Sequence, residues 1–117
     1  MLKPKKLSSK NFLSSLDTSR EEIYHILEIA KNLKNKDLNI ELQDKVLGLI
    51  FDKSSTRTRV SFQAAMSRLG GTTVDLNPRT SQIGRGEPIR DTARVLSRYC
   101  DVLAIRTFKQ SDLEEYA

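Results

Sequence analysis

An α/β fold, with a parallel sheet joined by right-handed βαβ crossovers, is what this sequence predicts. Segments of strand type and helix type alternate along the chain from Val46 onward, the order that builds such a sheet. The run Val46-Leu47-Gly48-Leu49-Ile50-Phe51 is apolar throughout rather than alternating, and Val102-Leu103-Ala104-Ile105 repeats that character. Strands covered by helices on both faces read this way.

Residues 1–17 predict an irregular lead-in. Thr18-Ser19-Arg20-Glu21 matches a capping box, in which hydroxyl and carboxylate satisfy free N–H groups at a helix start. Ile23, Ile26, Leu27, Ala30 and Leu33 then recur at helical spacing, and the helix is expected to fray near Asn35, before a polar connection over 36–44. This helix is expected to pack beside the sheet as an appendage. After the strand at 46–51, the turn Asp52-Lys53-Ser54 leads into a helix from about Ser55 to Leu69. Phe62, Ala65, Met66 and Leu69 form its expected buried stripe, and Gly70-Gly71 its stop. Thr72 to Leu76 reads as a short strand, Asn77 to Gly86 as a loop, and Pro88 to about Tyr99 as a helix with Ile89, Ala93, Leu96 and Cys100 on one side. The strand at 102–105 ends at Arg106-Thr107-Phe108, and Ser111 is the expected cap of a last helical turn. No internal repeat or linker divides the chain, so residues 1–117 read as a single domain.

The 117 residues carry 20 Lys+Arg against 15 Asp+Glu, a net charge of +5. No apolar run approaches the roughly 20 residues of a membrane span. The basic start, Met1 to Lys6, is not followed by an apolar stretch of signal-peptide length. Cys100 is the only cysteine, which excludes an intrachain disulfide and a Cys-rich metal site, and a reducing, cytoplasmic setting is expected. The lysines gather in the first 45 residues among acidic residues, and the arginines between Arg57 and Arg106 among Ser, Thr and Gly. Without interleaved aromatic residues this is no base-stacking surface, so a nucleic-acid partner is not expected. Clustered arginines instead suit a small phosphorylated anion.

In open parallel sheets ligands bind beyond the carboxyl ends of the strands. The ends at Phe51–Ser55, Leu76–Gly86 and Ile105–Phe108 all lead into anion-binding side chains. Ser54-Ser55-Thr56-Arg57-Thr58-Arg59 lies between a buried strand and a helix start, where free N–H groups and the helix dipole favour negative charge. Ser55, Thr56 and Thr58 add hydroxyls, and Arg57 adds a charge-assisted fork. Two arginines in a first turn oppose the dipole, which a purely structural helix start would avoid, although a Ser/Thr cap with two solvated arginines is the plain alternative. No Gly-x-x-x-x-Gly-Lys occurs, so this is not a nucleotide P-loop. Gly84-Arg85-Gly86 is a lone Gly-x-Gly; its loop either presents Gln82 and Arg85 to a ligand or neighbouring subunit, or is a plain surface loop. Arg106 either reaches the same pocket as Arg57 or is a surface residue at a strand end. His25 and Cys100 read as structural, and no cluster has metal-ligand spacing, so neither metal nor cofactor is expected.

The run Phe51-Asp52-Lys53-Ser54-Ser55-Thr56-Arg57-Thr58-Arg59-Val60-Ser61-Phe62 resembles the carbamoyl-phosphate signature of the aspartate and ornithine carbamoyltransferases. Ser81-Gln82-Ile83-Gly84-Arg85-Gly86-Glu87 and Asp91-Thr92-Ala93-Arg94-Val95-Leu96 resemble later family stretches, and Phe-x-Lys, Ser-Gln-Ile-Gly and Asp-Thr-Ala-Arg-Val-Leu are closer to the ornithine branch. The resemblance implies that Ser55, Thr56, Arg57 and Thr58 hold the phosphate of carbamoyl phosphate. It implies that Arg106 helps bind the phosphate and polarises the carbamoyl carbonyl, with Arg57 and Arg106 the catalytic pair. Gln82 matches a position that reaches carbamoyl phosphate, often in the neighbouring subunit, and Arg85 is a further candidate there. Glu87 is expected to orient Arg57. The family's His-Pro-x-Gln segment and ornithine-binding domain are not found in residues 1–117. The resemblance therefore implies an incomplete carbamoyl-phosphate-binding domain, inactive alone, of a homotrimeric or larger enzyme that makes citrulline from ornithine. The alternatives are the aspartate branch, a stand-alone carbamoyl-phosphate or phosphate-binding module, and a trimer-assembly module.

Overall fold

The computed structural model describes residues 3–51, 55–76 and 89–117, so the turn at 52–54 and the loop at 77–86 lie outside the described residues. The chain divides into two compact units, Met1–Ile40 and Glu41–Ala117.

The first unit is a lead-in folded onto one helix. A 3₁₀ turn, Ser15–Asp17, starts with its own capping box between Ser14 and Asp17. Helix α1, Arg20–Lys34, starts one residue later than the capping pattern predicts: Ser19 accepts from the N–H of Glu22, and Glu22 accepts from the N–H of Ser19. Thr18 is taken by the preceding turn, where its N–H and hydroxyl both donate to the Ser15 carbonyl. Glu22 also accepts from the N–H of Ser8 at 2.8 Å, which ties the lead-in to α1. The N–H groups of Ser19 and Ser8 hold the Glu22 carboxyl below its ordinary value by bonding its charged form. No residue of α1 is buried.

The second unit is the predicted α/β core. Strands β1 (Val46–Phe51), β2 (Thr72–Leu76) and β3 (Val102–Arg106) form a parallel sheet in the order β2-β1-β3. Helices α2 (Thr56–Arg68) and α3 (Ile89–Leu96) connect them, and α4 (Gln110–Tyr116) follows β3. β1 holds the centre. Leu47, Leu49 and Phe51 cluster on one face with Met66 of α2, and the Phe51 and Phe62 rings lie 6.4 Å apart. The opposite face carries Gly48, where a Cβ would come 2.7 Å from Leu103 and 3.1 Å from the Cys100 sulfur, so only glycine fits without displacing them. Burial on both faces explains the uninterrupted apolar run of β1.

At the amino end, Asp101 joins β3 to β1. Its carboxylate accepts from the N–H of Val46 at 2.8 Å, and its own N–H donates to the Val46 carbonyl at 2.9 Å. Gly70 adopts φ 85, a left-handed conformation that suits glycine, and so ends α2 at the predicted stop.

Three further expectations need correction. The α2 stripe is not buried: Phe62 is 39% exposed, Ala65 is exposed, and Met66 and Leu69 are half-buried. Helix α3 ends at Leu96, with residues 97–99 in turns rather than helix. Ser111 is inside α4, whose cap position is Lys109.

Candidate functional site

The parallel register brings the carboxyl ends of β1 and β3 level, with Phe51 opposite Arg106 and Ile50 opposite both Leu76 and Ile105. The segment after Phe51 returns at Ser55, the cap position of α2. Arg106 Nη1 donates to Ser55 Oγ at 2.8 Å, across 51 residues of sequence. Ser55, which opens the Ser-Thr-Arg-Thr turn, and the arginine at the β3 end are thus brought together by the sheet.

Ser55 is the cap residue, yet its side chain makes no capping hydrogen bond to α2. Because its oxygen accepts from Arg106, its own hydroxyl proton remains available to an anion. The N–H of Arg59 makes the first backbone bond of the helix, to the Ser55 carbonyl at 2.9 Å. The N–H groups of Thr56, Arg57 and Thr58 therefore precede the helical ladder. No acidic residue stands in the first turn of α2. Thr56, Arg57, Thr58 and Arg106 are all exposed, and Ser55 is half-buried. The Arg106 guanidinium thus meets the Ser55 hydroxyl beside the free N–H groups of the helix start, with Arg57 exposed in the same turn, a donor set suited to phosphate oxygens.

The two arginines of the first turn separate in role. Among the described residues Arg57 has no ion-pair partner, whereas Arg59 turns toward β2, its Nε 3.1 Å from Asp75 Oδ2. This is an ion pair by distance; the N–H direction does not make it a hydrogen bond. The Arg59 guanidinium also lies over the Phe51 ring, 5.5 Å from its centroid. Arg59 is thus engaged by Asp75 and Phe51, whereas Arg57 and Arg106 are exposed. Sequence reasoning missed its partner Asp75, although a carboxylate within Thr72-Thr73-Val74-Asp75-Leu76 was a visible signal. Gln82, Arg85 and Glu87 lie outside the described residues.

His25 belongs to the first unit, where its Nε2 accepts from the N–H of Lys5 at 3.0 Å, a structural use. Burial, and secondarily the neighbouring Asp101 carboxylate, pushes the Cys100 thiol up, away from the thiolate a nucleophile needs. Among the described residues no group of three or more His, Cys, Asp or Glu is placed to hold a metal. No helix there is long and apolar enough to cross a membrane. An open, mostly apolar groove of about 490 Å³ lies at the opposite, amino end of the strands, lined by Leu42, Val46, Leu47, Met66 and Val102 with Lys45 and Asp101. None of Ser55, Thr56, Arg57, Thr58 and Arg106 lines it.

Comparison with known proteins places the chain in a family. The family model for the aspartate/ornithine carbamoyltransferase carbamoyl-P binding domain matches residues 10–117. An ornithine carbamoyltransferase of Prochlorococcus marinus subsp. pastoris is 75% identical over 117 residues, which are all of this chain and 38% of that protein. The anabolic ornithine carbamoyltransferase of Campylobacter jejuni superposes with a TM-score of 0.85 at 42% identity, over 93% of this chain and 36% of its own. The aspartate transcarbamoylase of Trypanosoma cruzi, solved with carbamoyl phosphate and aspartate, gives a TM-score of 0.81 at 36% identity, over 94% of this chain and 38% of its own. The chain thus spans little more than a third of the length of these relatives.

Proposed function

The chain belongs to the aspartate/ornithine carbamoyltransferase family, and from that membership we propose that it forms part of the carbamoyl-phosphate-binding domain of an ornithine carbamoyltransferase. The complete enzyme transfers the carbamoyl group of carbamoyl phosphate to ornithine, giving citrulline and phosphate for arginine biosynthesis in the cytoplasm. The observation that carries this reading is the 2.8 Å bond from Arg106 to Ser55, which unites two strand ends at an uncapped helix start. The identity of 75% to an ornithine carbamoyltransferase favours the ornithine branch over the aspartate branch.

In this reading Ser55, Thr56, Arg57 and Thr58 hold the phosphate through hydroxyls, N–H groups and one guanidinium. Arg106, with four N–H donors beyond the one given to Ser55, spans the phosphate and the carbamoyl oxygen. The neutral amine of ornithine attacks the carbamoyl carbon, negative charge grows on the carbonyl oxygen, and phosphate departs with the bonding pair and takes up the proton that the amine nitrogen sheds. Fixed cations and N–H groups aimed at that charge stabilise the transition state more than the ground state. Arg57 also meets the charge that develops on the departing phosphate. Gln82 and Arg85 complete the site from their loop, in the same or a neighbouring subunit of a homotrimer, and the ornithine-binding residues belong to the rest of the complete protein.

The complete protein, supplied with carbamoyl phosphate and ornithine, is expected to form citrulline, whereas residues 1–117 alone are expected to form none. Formation of carbamoyl-aspartate from aspartate in place of citrulline would move the assignment to the other branch. Turnover by residues 1–117 alone would refute the division of the site between this chain and the rest of the protein.

A further inference from the structure

The anion-binding reading leaves the second arginine of the turn without a role, and its geometry supplies one. Resting on that reading, we infer that Arg59, braced between Asp75 and Phe51, is a positioning residue that holds the first turn of α2 over the strand ends.

Three contacts of Arg59 meet at this point. Its N–H closes the first helical bond to the carbonyl of Ser55, the residue that also receives Arg106. Its Nε reaches the Asp75 carboxylate near the end of β2. Its guanidinium covers the ring of Phe51, the last residue of β1, which stands opposite Arg106. One side chain thereby ties the helix start to the ends of two strands.

The helix needs that tie because apolar packing does not fix its start. No residue of α2 is buried, and Val60, beside Arg59, is 55% exposed. Its other restraints lie further along, at Phe62 against the Phe51 ring, at Met66 against the core, and at the bonds from Gly71 N–H to Met66 and from Leu42 N–H to Leu69. Phe62 is six residues beyond Thr56, roughly 9 Å along the axis. A tilt of about 10° about Phe62 would carry the first turn sideways by about 1.6 Å over that length. A misplacement of about 1 Å is enough to cost on the order of 10²-fold in rate where donors must meet a reacting group. The Asp75 carboxylate also neutralises Arg59, so the brace does not compete with Arg57 for the anion.

The test uses inorganic phosphate, with Asp75→Asn as the mild variant and Arg59→Lys as the conservative one. Phosphate affinity is read by calorimetric titration, and amide hydrogen exchange is followed along α2. Asp75→Asn is expected to weaken phosphate about tenfold and to speed exchange at Arg59 and Val60, while Leu69 keeps its protection. Arg59→Lys, which retains the charge but not the flat stacking group, is expected to fall between Asp75→Asn and the unaltered protein. Unchanged phosphate affinity in Asp75→Asn overturns the inference. So does exchange that rises equally at both ends of α2, because a general loss of stability would do that. If the unaltered protein binds no phosphate, the anion-binding reading itself fails and the inference falls with it.

Discussion

Arg106→Ala in the complete protein is expected to lower kcat by about 10²–10³-fold while leaving the melting temperature almost unchanged. The magnitude is that of removing one donor aimed at developing negative charge, about 2.7–4 kcal/mol of barrier. The stability expectation follows from exposure: Arg106 stands at the solvent end of β3, and its described hydrogen bond is to a side chain. Exposed substitutions away from caps and buried networks usually change stability by less than about 0.5 kcal/mol. Arg106→Lys should recover little, because an ammonium group cannot bond Ser55 and the substrate in the same flat fork. Steady-state kinetics with both substrates, beside a thermal melt, separates the two effects. A kcat within threefold of the unaltered enzyme would remove Arg106 from the chemistry.

The second large effect is on stability. Leu49 is fully enclosed at the centre of β1, paired on one side with Asp75 and on the other with Ala104. Leu49→Ala removes the side chain on which the main buried cluster converges, and truncations of this kind cost about 2–5 kcal/mol. Domains of this size hold only about 5–15 kcal/mol in total. The melting temperature should therefore fall by roughly 10 °C or more, with a matching fall in the denaturant midpoint. A loss below about 1 kcal/mol would show that β1 is not the centre of the core.

The elements of the second unit were legible because their signals are long and consistent. An apolar run of strand length, a hydroxyl-rich helix start, a Gly-Gly stop and a second apolar run specify β1, α2 and β3 almost to the residue. The meeting of Ser55 with Arg106 was legible for the same reason, since parallel strands bring their carboxyl ends together and both residues stand at such ends. What escaped depended on competition between neighbours. Thr18 and Ser19 each stand three residues before a glutamate, and only the 3₁₀ turn, which takes Thr18, decides between them. The α2 stripe has helical spacing, but spacing cannot tell how completely a helix is covered, and Ala65 and Phe62 remain exposed. Arg57 and Arg59 look alike in sequence; the fold distinguishes them by placing Asp75 beside one. Lys109 rather than Ser111 holds the cap position of α4, and it makes no side-chain cap bond.

The central claim is that the first turn of α2 and the end of β3 form one anion site. Its most direct test follows the backbone amide and arginine side-chain resonances while carbamoyl phosphate or inorganic phosphate is added. The largest shifts are predicted at the N–H groups of Thr56, Arg57 and Thr58 and at the Arg106 guanidinium, all saturating together, and Arg57→Ala should weaken the titration at least tenfold. Shifts centred on the apolar groove at Leu42, Met66 and Val102, or a titration indifferent to Arg57→Ala, would contradict it.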